Sequence, residues 1–445
     1  MSVLLALLSC SAQEQALLRE LALDQGVQPL DPVEQDPDLV ALGEALFFDP
    51  ILSGNRDQSC ATCHHPSRAT GDGRSLAVGT GAVEEEELRL PGPDHRFTSR
   101  NSPALWDLGQ PEVEVMFWDS RLAWSGERAL LYDLGQGASG VVRFTMPALL
   151  DSPLAGQAML PVLDRGEMRG EPGEVGPSGE FNELALISDG DFEGVWGALM
   201  ERLLLVEGYR ELFSTAFPGQ PLEELGFEHA ALGLAAYMGS TFQATDTSFD
   251  AFIQGEDSLD DAMLRGGLLF YGDAGCAQCH SGPLFSDQAL HNIAVRPMTR
   301  GPVDVETVDR GAAHRTHADL SYSYAFRTPL LRNVTLTGPW MHNGCYTSLE
   351  AVLWHKQQPV VSLWDYDAGQ LDPEFRDQVH NSETVLAEVE RYVGEEVPTH
   401  LDLGEDEIAD LVAFLYALES PTAAALADGE GLPLAVPSGL SLVEP

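Results

Sequence analysis

Apolar residues recur every three to four positions in several separate stretches of the chain. Between Asp36 and Phe48 they are Leu39, Leu42, Leu46 and Phe47, and Asp49-Pro50 closes the run, which predicts a helix. The same spacing predicts helices over Phe192–Phe217, Glu228–Phe242, Leu259–Phe270 and Glu405–Leu418. Strand-like alternation is sparse, so the expected class is all-α, with long loops and few strands. The helices at 36–48 and 259–270 each lead through a loop into Cys-x-x-Cys-His, an internal repeat of helix, loop and motif. This repeat predicts two helical domains, 36–250 and 251–420, with Asp250–Gly255 as the linker.

The intervening stretches are loop-like. Residues 66–103 are rich in Gly, Arg and Glu, and the run Glu84–Glu87 is expected to form a solvated face. Residues 126–190 mix Gly, Pro and scattered apolar positions and are expected to form a long inserted loop region. An Ala-, Gly- and Pro-rich acidic tail, 421–445, is expected to be mobile. At the other end, Met1–Cys10 is a short apolar run that fits an export signal, and Leu7-Leu8-Ser9-Cys10 is similar to the cleavage box of bacterial lipoproteins. Cys10 would then be lipidated and tether the protein to a membrane. A plain signal is the alternative, because no Lys or Arg precedes the run.

Charge narrows the partners. The 24 basic and 70 acidic residues leave a formal charge of -46, a field that repels phosphate backbones and excludes nucleic acid as a partner. Lys356 is the only lysine. Of six cysteines, four form Cys60-Ala-Thr-Cys63-His64 and Cys276-Ala-Gln-Cys279-His280. Each unit offers two thiols for the two vinyl groups of one haem and an adjacent imidazole for its iron. A bare Cys-x-x-Cys also suits zinc or redox exchange, but two copies, each followed by His and preceded by a helix, predict two covalent haem c groups in an exported protein.

Further blocks carry a family resemblance. Leu42-Gly-Glu-Ala-Leu-Phe-Phe-Asp-Pro50, Arg100-Asn-Ser-Pro103, Phe117-Trp-Asp-Ser-Arg121, Glu167-Met168, Phe326-Arg-Thr-Pro-Leu-Leu-Arg-Asn-Val334 and Pro339-Trp-Met-His-Asn-Gly344 run in that order. With Gly282-Pro-Leu-Phe-Ser-Asp287 and His291-Asn-Ile293, they resemble the bacterial di-haem cytochrome c peroxidases and their relative MauG, from about Leu42 to Leu418. The resemblance implies two cytochrome c-like haem domains, with His64 the proximal ligand of the peroxide haem and His280 that of the electron-receiving haem. It gives Glu167 the role of distal acid and base, Trp118 a place between the haems, and Asn101, Thr337 and Pro339 a calcium ion. Without it, Glu167 reads as a surface loop residue and Trp118 as a packed core side chain.

The chain departs from that pattern at three points. Where members that need reductive activation carry a second histidine, sixteen residues after His64, stands Thr80, which implies a first iron open to peroxide; His95 and His65 are the alternative ligands. Arg128 or Glu127 aligns with the family glutamine beside the peroxide pocket. Fourteen residues after His342, where relatives carry Met or Tyr, stands Lys356, with His355 beside it. Leu349, Val352, Leu353 and Lys356 share one helical stripe, which aims Lys356 at the haem; His355, Met341, Met298 or no protein ligand stay open. Cys345 reads as a buried free thiol, and His291 and His342 as hydrogen-bonding residues of the haem surround.

The leading expectation is an exported peroxidase of the periplasm or outer envelope. It would reduce hydrogen peroxide with electrons from a small donor protein, a cytochrome c or a cupredoxin. A MauG-like enzyme that oxidises residues of a partner protein, and a non-catalytic electron carrier or sensor, are the alternatives. A homodimer is also left open.

Overall fold

The computed structural model describes residues 2–85, 88–132, 142–299, 308–314, 320–398, 400–427 and 432–443. Two helix crossings organise it. The helix Pro37–Phe48 starts where the Asp36 carboxylate accepts a hydrogen bond from the Asp38 N–H, with Pro37 preset for the first turn. Its buried face, Leu42, Leu46, Phe47 and Phe48, packs across Phe227–Thr241. The backbones nearly touch there, since a Cβ added to Gly43 would stand 1.9 Å from the Gly233 carbonyl oxygen. Gly43→Ala must therefore push two helices apart, and it is expected to remove about 1–3 kcal/mol of stability, read as a lower denaturant midpoint.

The second crossing repeats the first. The helix Asp261–Tyr271, capped by Asp260, packs across Glu405–Tyr416, and a Cβ on Gly266 would stand 1.8 Å from the Asp410 carbonyl oxygen. Each motif thus follows the first helix of such a pair, so the repeat seen in the sequence is also a repeat in space.

The chain is mostly helical, but its strands are more organised than the sequence suggests. Val115–Met116, Leu122–Trp124, Ala129–Tyr132 and Val142–Thr145 form a four-stranded antiparallel meander. The helix Pro153–Ala158 lies against it, with Gly156 facing Ala129 and Leu122. Within 126–190, where composition predicts loop, Ala129–Tyr132, Val142–Thr145 and Pro153–Ala158 are thus regular elements. Strands of two to four residues are too short to display a period of two, and their burial on this helix is tertiary. Two short strand pairs, Ala82–Glu85 with Leu88–Pro91 and Leu290–His291 with Phe326–Arg327, complete the sheet content among the described residues.

Three further segments differ from expectation. Phe192–Phe217 forms two helices, Phe192–Leu204 and Glu207–Ala216, because Val206 between them is extended. The presumed linker is part of the helix Ser248–Gln254. The C-terminal tail packs against the first helix crossing: Ala423 and Val436 join the core that holds Leu42 and Phe47, and the Ser438 hydroxyl donates to Asp49 Oδ1 at 2.7 Å. At the N-terminus the helix Ser2–Asp24 runs through Cys10 without a break, although the Cys10 side chain lies outside the described residues. Leu18 and Ala22 are buried in the second domain's core beside Phe252 and Phe414, and Arg19 Nε donates to the Phe252 carbonyl at 2.9 Å. No single helix among the described residues is long and apolar enough to cross a membrane.

Candidate functional site

Cys60–Cys63 is a single helical turn, and its hydrogen bonding continues into His64, whose N–H donates to the Cys60 carbonyl. The His64 Nδ1 lies 3.2 Å from the Thr70 carbonyl oxygen. In the second motif, His280 Nδ1 lies 2.9 Å from the Phe285 carbonyl oxygen. A carbonyl partner requires the proton on Nδ1, which leaves the Nε2 lone pair of each ring for a metal. Burial lowers the pKa of both imidazoles to about 4, so both are neutral, the form that ligates. Burial likewise pushes the Cys60 and Cys63 thiols up to about 12 and Cys276 to about 11.

Glu167 sits beside the first motif, on the π-helical turn Arg165–Arg169. Asp164 caps that turn by accepting from the Gly166 and Glu167 N–H groups at 2.8 and 2.9 Å. The Glu167 carbonyl accepts from Gln58 Nε2 at 2.8 Å and from the Thr80 N–H at 2.9 Å. Its carboxylate is close enough to Cys63 to add to the burial that raises that thiol.

Thr80 is buried, and its hydroxyl donates to Asp57 Oδ1 at 2.6 Å while the Gly81 N–H donates to Asp57 Oδ2 at 2.7 Å. Gly79 is pressed so closely on the Glu167 turn that a Cβ there would fall 1.7 Å from the Gly166 carbonyl oxygen. The segment that would carry an activating histidine is thus pinned to the Glu167 turn. Of the alternative ligands, His95 Nε2 is held by Glu174 at 2.5 Å and His65 Nδ1 lies 2.6 Å from the Ser67 hydroxyl.

Arg128 requires a correction. It is exposed in the turn between two strands of the meander, where its N–H donates to the Ser125 hydroxyl and its carbonyl accepts from the Ser125 N–H. Glu127 is exposed beside it. A solvated hairpin turn is no distal pocket.

A cavity with about 1590 Å³ of empty space, part of it open to solvent, is lined by Cys276, Cys279, His280, Lys356, Met341 and Trp118, among others. Both thiols and the imidazole of the second motif thus share one wall with the apolar stripe that ends in Lys356. A smaller cavity of about 640 Å³ is lined by Asn101, Thr337, Pro339, Arg327 and again Trp118. The three expected calcium ligands are therefore neighbours. Asn101 Nδ2 is engaged by the Arg74 carbonyl at 2.7 Å, which turns Oδ1 elsewhere, and the Asn101 carbonyl accepts from Trp118 Nε1 at 3.0 Å.

Arg327 is a site residue that the sequence reading quoted only as part of a motif. It lines both cavities and is 7% exposed, its Nη1 has no partner, and no carboxylate pairs with it among the described residues. Burial lowers its pKa to about 10. By contrast Arg100 pairs with Asp119 and Asp309, and Arg332 with Asp250. An unpaired buried guanidinium fits an anionic group in the cavity.

The di-haem cytochrome c peroxidase family model matches residues 37–258. The methylamine utilization protein MauG of Methylorubrum extorquens is 32% identical over 361 residues, 79% of this chain and 79% of that protein. The chain belongs to the di-haem cytochrome c peroxidase family. The cytochrome c551 peroxidase of Pseudomonas aeruginosa is 28% identical, over 75% of this chain and 74% of its own. Among solved structures, the diheme peroxidase BthA from Burkholderia thailandensis superposes with a TM-score of 0.55 at 22% identity, covering 94% of each chain, a likeness of fold. This family of oxidoreductases implies haem c as the prosthetic group. The residues present fit it: two neutral imidazoles whose Nδ1 atoms face carbonyl oxygens, paired thiols beside each, a cavity at the second motif, and an unpaired buried cation of the kind that haem carboxylates would neutralise.

Proposed function

We propose that this chain is an exported di-haem peroxidase that converts hydrogen peroxide, two protons and two electrons into two waters. Peroxide would react at a haem held by Cys60, Cys63 and His64. Electrons would come from a cytochrome c or cupredoxin through a haem held by Cys276, Cys279 and His280. The observation that carries this reading is the difference between the two motifs: the first has a carboxylate, Glu167, strapped beside it, and the second opens on a cavity that Lys356 lines.

When bound, the haems supply the iron redox chemistry. The protein's part is proton handling and positioning. Glu167 takes a proton from one peroxide oxygen and returns it to the other as the O–O bond breaks. Trp118, on the wall of the cavity at the second motif, would couple the two haems through its π system. Asn101 Oδ1 and the carbonyls of Thr337 and Pro339 supply hard oxygen donors for one calcium ion beside it. The strongly acidic surface steers a basic donor. Export through Met1–Cys10, with or without a lipid on Cys10, belongs to the same reading, as does the division into haem domains at 36–250 and 251–420.

The pinned segment around Thr80 implies a first iron open to peroxide in the fully ferric protein. Rapid mixing of all-ferric holoprotein with hydrogen peroxide is expected to change the haem spectrum without prior reduction, and a reduced donor is then oxidised in steady state. A ferric protein inert until reduced overturns the reading of Thr80; no donor oxidation at all overturns the peroxidase reading. The same pinned segment, together with the similarity to MauG, favours as second reading an enzyme that oxidises residues of a partner protein. Peroxide consumption coupled to oxidised side chains on that partner, with no small donor turned over, would select it.

A further inference from the structure

We infer that the Lys356 amine is the sixth ligand of the iron in the second haem. This rests on the reading that Cys276, Cys279 and His280 hold that haem.

The helix Leu349–Gln357 presents two faces to different surroundings. Leu349, Val352, Leu353 and Lys356, one stripe at i, i+3, i+4 and i+7, all line the larger cavity together with Cys276, Cys279 and His280. Lys356 is half-buried, and it lines the cavity beside Cys276, Cys279 and His280. Among the described residues it makes no ion pair and no hydrogen bond, although the chain carries 70 acidic side chains and this single lysine. A buried ammonium without a counter-ion is disfavoured, whereas the neutral amine has a lone pair to donate.

The competing donors are placed otherwise. His355 is 1% exposed and lies off that stripe, its Nδ1 2.9 Å from the Tyr346 hydroxyl and its Nε2 2.8 Å from the Ile293 carbonyl oxygen, so neither ring nitrogen is free. Met298 is 3% exposed and is not among the residues that line the cavity. His291 is on the cavity wall but is bonded to Asp287 at 3.0 Å and Glu396 at 2.5 Å. Met341 is the competitor that shares the wall with Lys356. A nitrogen ligand in place of a thioether lowers the potential of this haem, which limits the donors able to reduce it.

The test uses ferric holoprotein of wild type, K356A, K356M and M341A, each first shown by pyridine haemochrome to carry two haems. In K356A the low-spin EPR signal of the second haem is expected to be lost to a high-spin signal, and added imidazole should restore a low-spin species. K356M, which keeps the bulk and the fold, is expected to stay low-spin with a raised midpoint potential, and M341A to match wild type. The inference is overturned if K356A and K356M keep the wild-type EPR signal and potential, or if M341A alone converts the signal. Fewer than two haems in wild type would instead sink the di-haem assignment of the motifs. Two haems with an altered K356A spectrum, but no reaction with peroxide, would sink the peroxidase reading and leave the ligand standing.

Discussion

Replacing Glu167 by glutamine is expected to lower kcat/KM for hydrogen peroxide by about 10²–10⁴-fold, the usual worth of a positioned general acid and base. Haem content and the ferric spectrum should stay as in wild type, because the bonds that build the turn are made by its backbone: the Glu167 N–H on Asp164, and its carbonyl on Gln58 and Thr80. Glutamine keeps the volume and a polar tip but cannot carry a proton between the two oxygens. Stopped-flow reaction of the ferric variant with peroxide separates this step from later electron delivery. Wild-type rates in E167Q would remove Glu167 from the proton path.

The features legible in the sequence are those written in local spacing. The helices before the two motifs appear near their expected bounds, and the stripe Leu349, Val352, Leu353 and Lys356 faces one cavity as its phase predicts. The helix Ser248–Gln254, which overlaps the expected linker Asp250–Gly255, carries its own local signals. Thr247 accepts from the Asp250 N–H three residues on, and Gly255 ends the helix at φ 78°, which are ordinary start and stop signals. Three apolar residues, Phe249, Phe252 and Ile253, were too few to register as a period.

Other features leave no local mark. The lack of a carboxylate beside Arg327 is a property of the packed structure. The calcium candidates lie more than two hundred residues apart, Asn101 against Thr337 and Pro339, and carbonyl ligands have no side-chain signature. The exposure of Arg128 leaves no mark in its block either, because the turn between two paired strands that carries it to solvent is set by strand pairing. The tail was judged by composition, whereas its anchor, Ser438 on Asp49, spans almost the whole chain.

Asp250→Ala is expected to destabilise the protein by about 3–5 kcal/mol, the cost of breaking a buried ion pair and leaving one charge alone. Arg332 and Asp250 have side chains 1% and 5% exposed, and the guanidinium grips both carboxylate oxygens, at 2.6 and 2.8 Å. The same guanidinium donates to the carbonyls of Pro283 at 2.8 Å and Ala244 at 2.9 Å, so it ties the end of the first domain to the loop after the second motif. Water cannot take over the role of the lost carboxylate at that depth. The nearest other acid, Asp107, is itself held up at about pKa 6 by burial, and its Oδ1 is engaged by the Ala244 N–H. The loss should appear as a lower urea midpoint with an unchanged slope. In the double variant Asp250→Leu/Arg332→Met much of it should return, because both charges are then gone and the remaining deficit is packing. The spectrum of the second haem should be affected more than that of the first, since the Pro283 loop leads directly to Phe285, the residue whose carbonyl orients His280. Equal stability of D250A and wild type would show that this pair does not hold the two domains together.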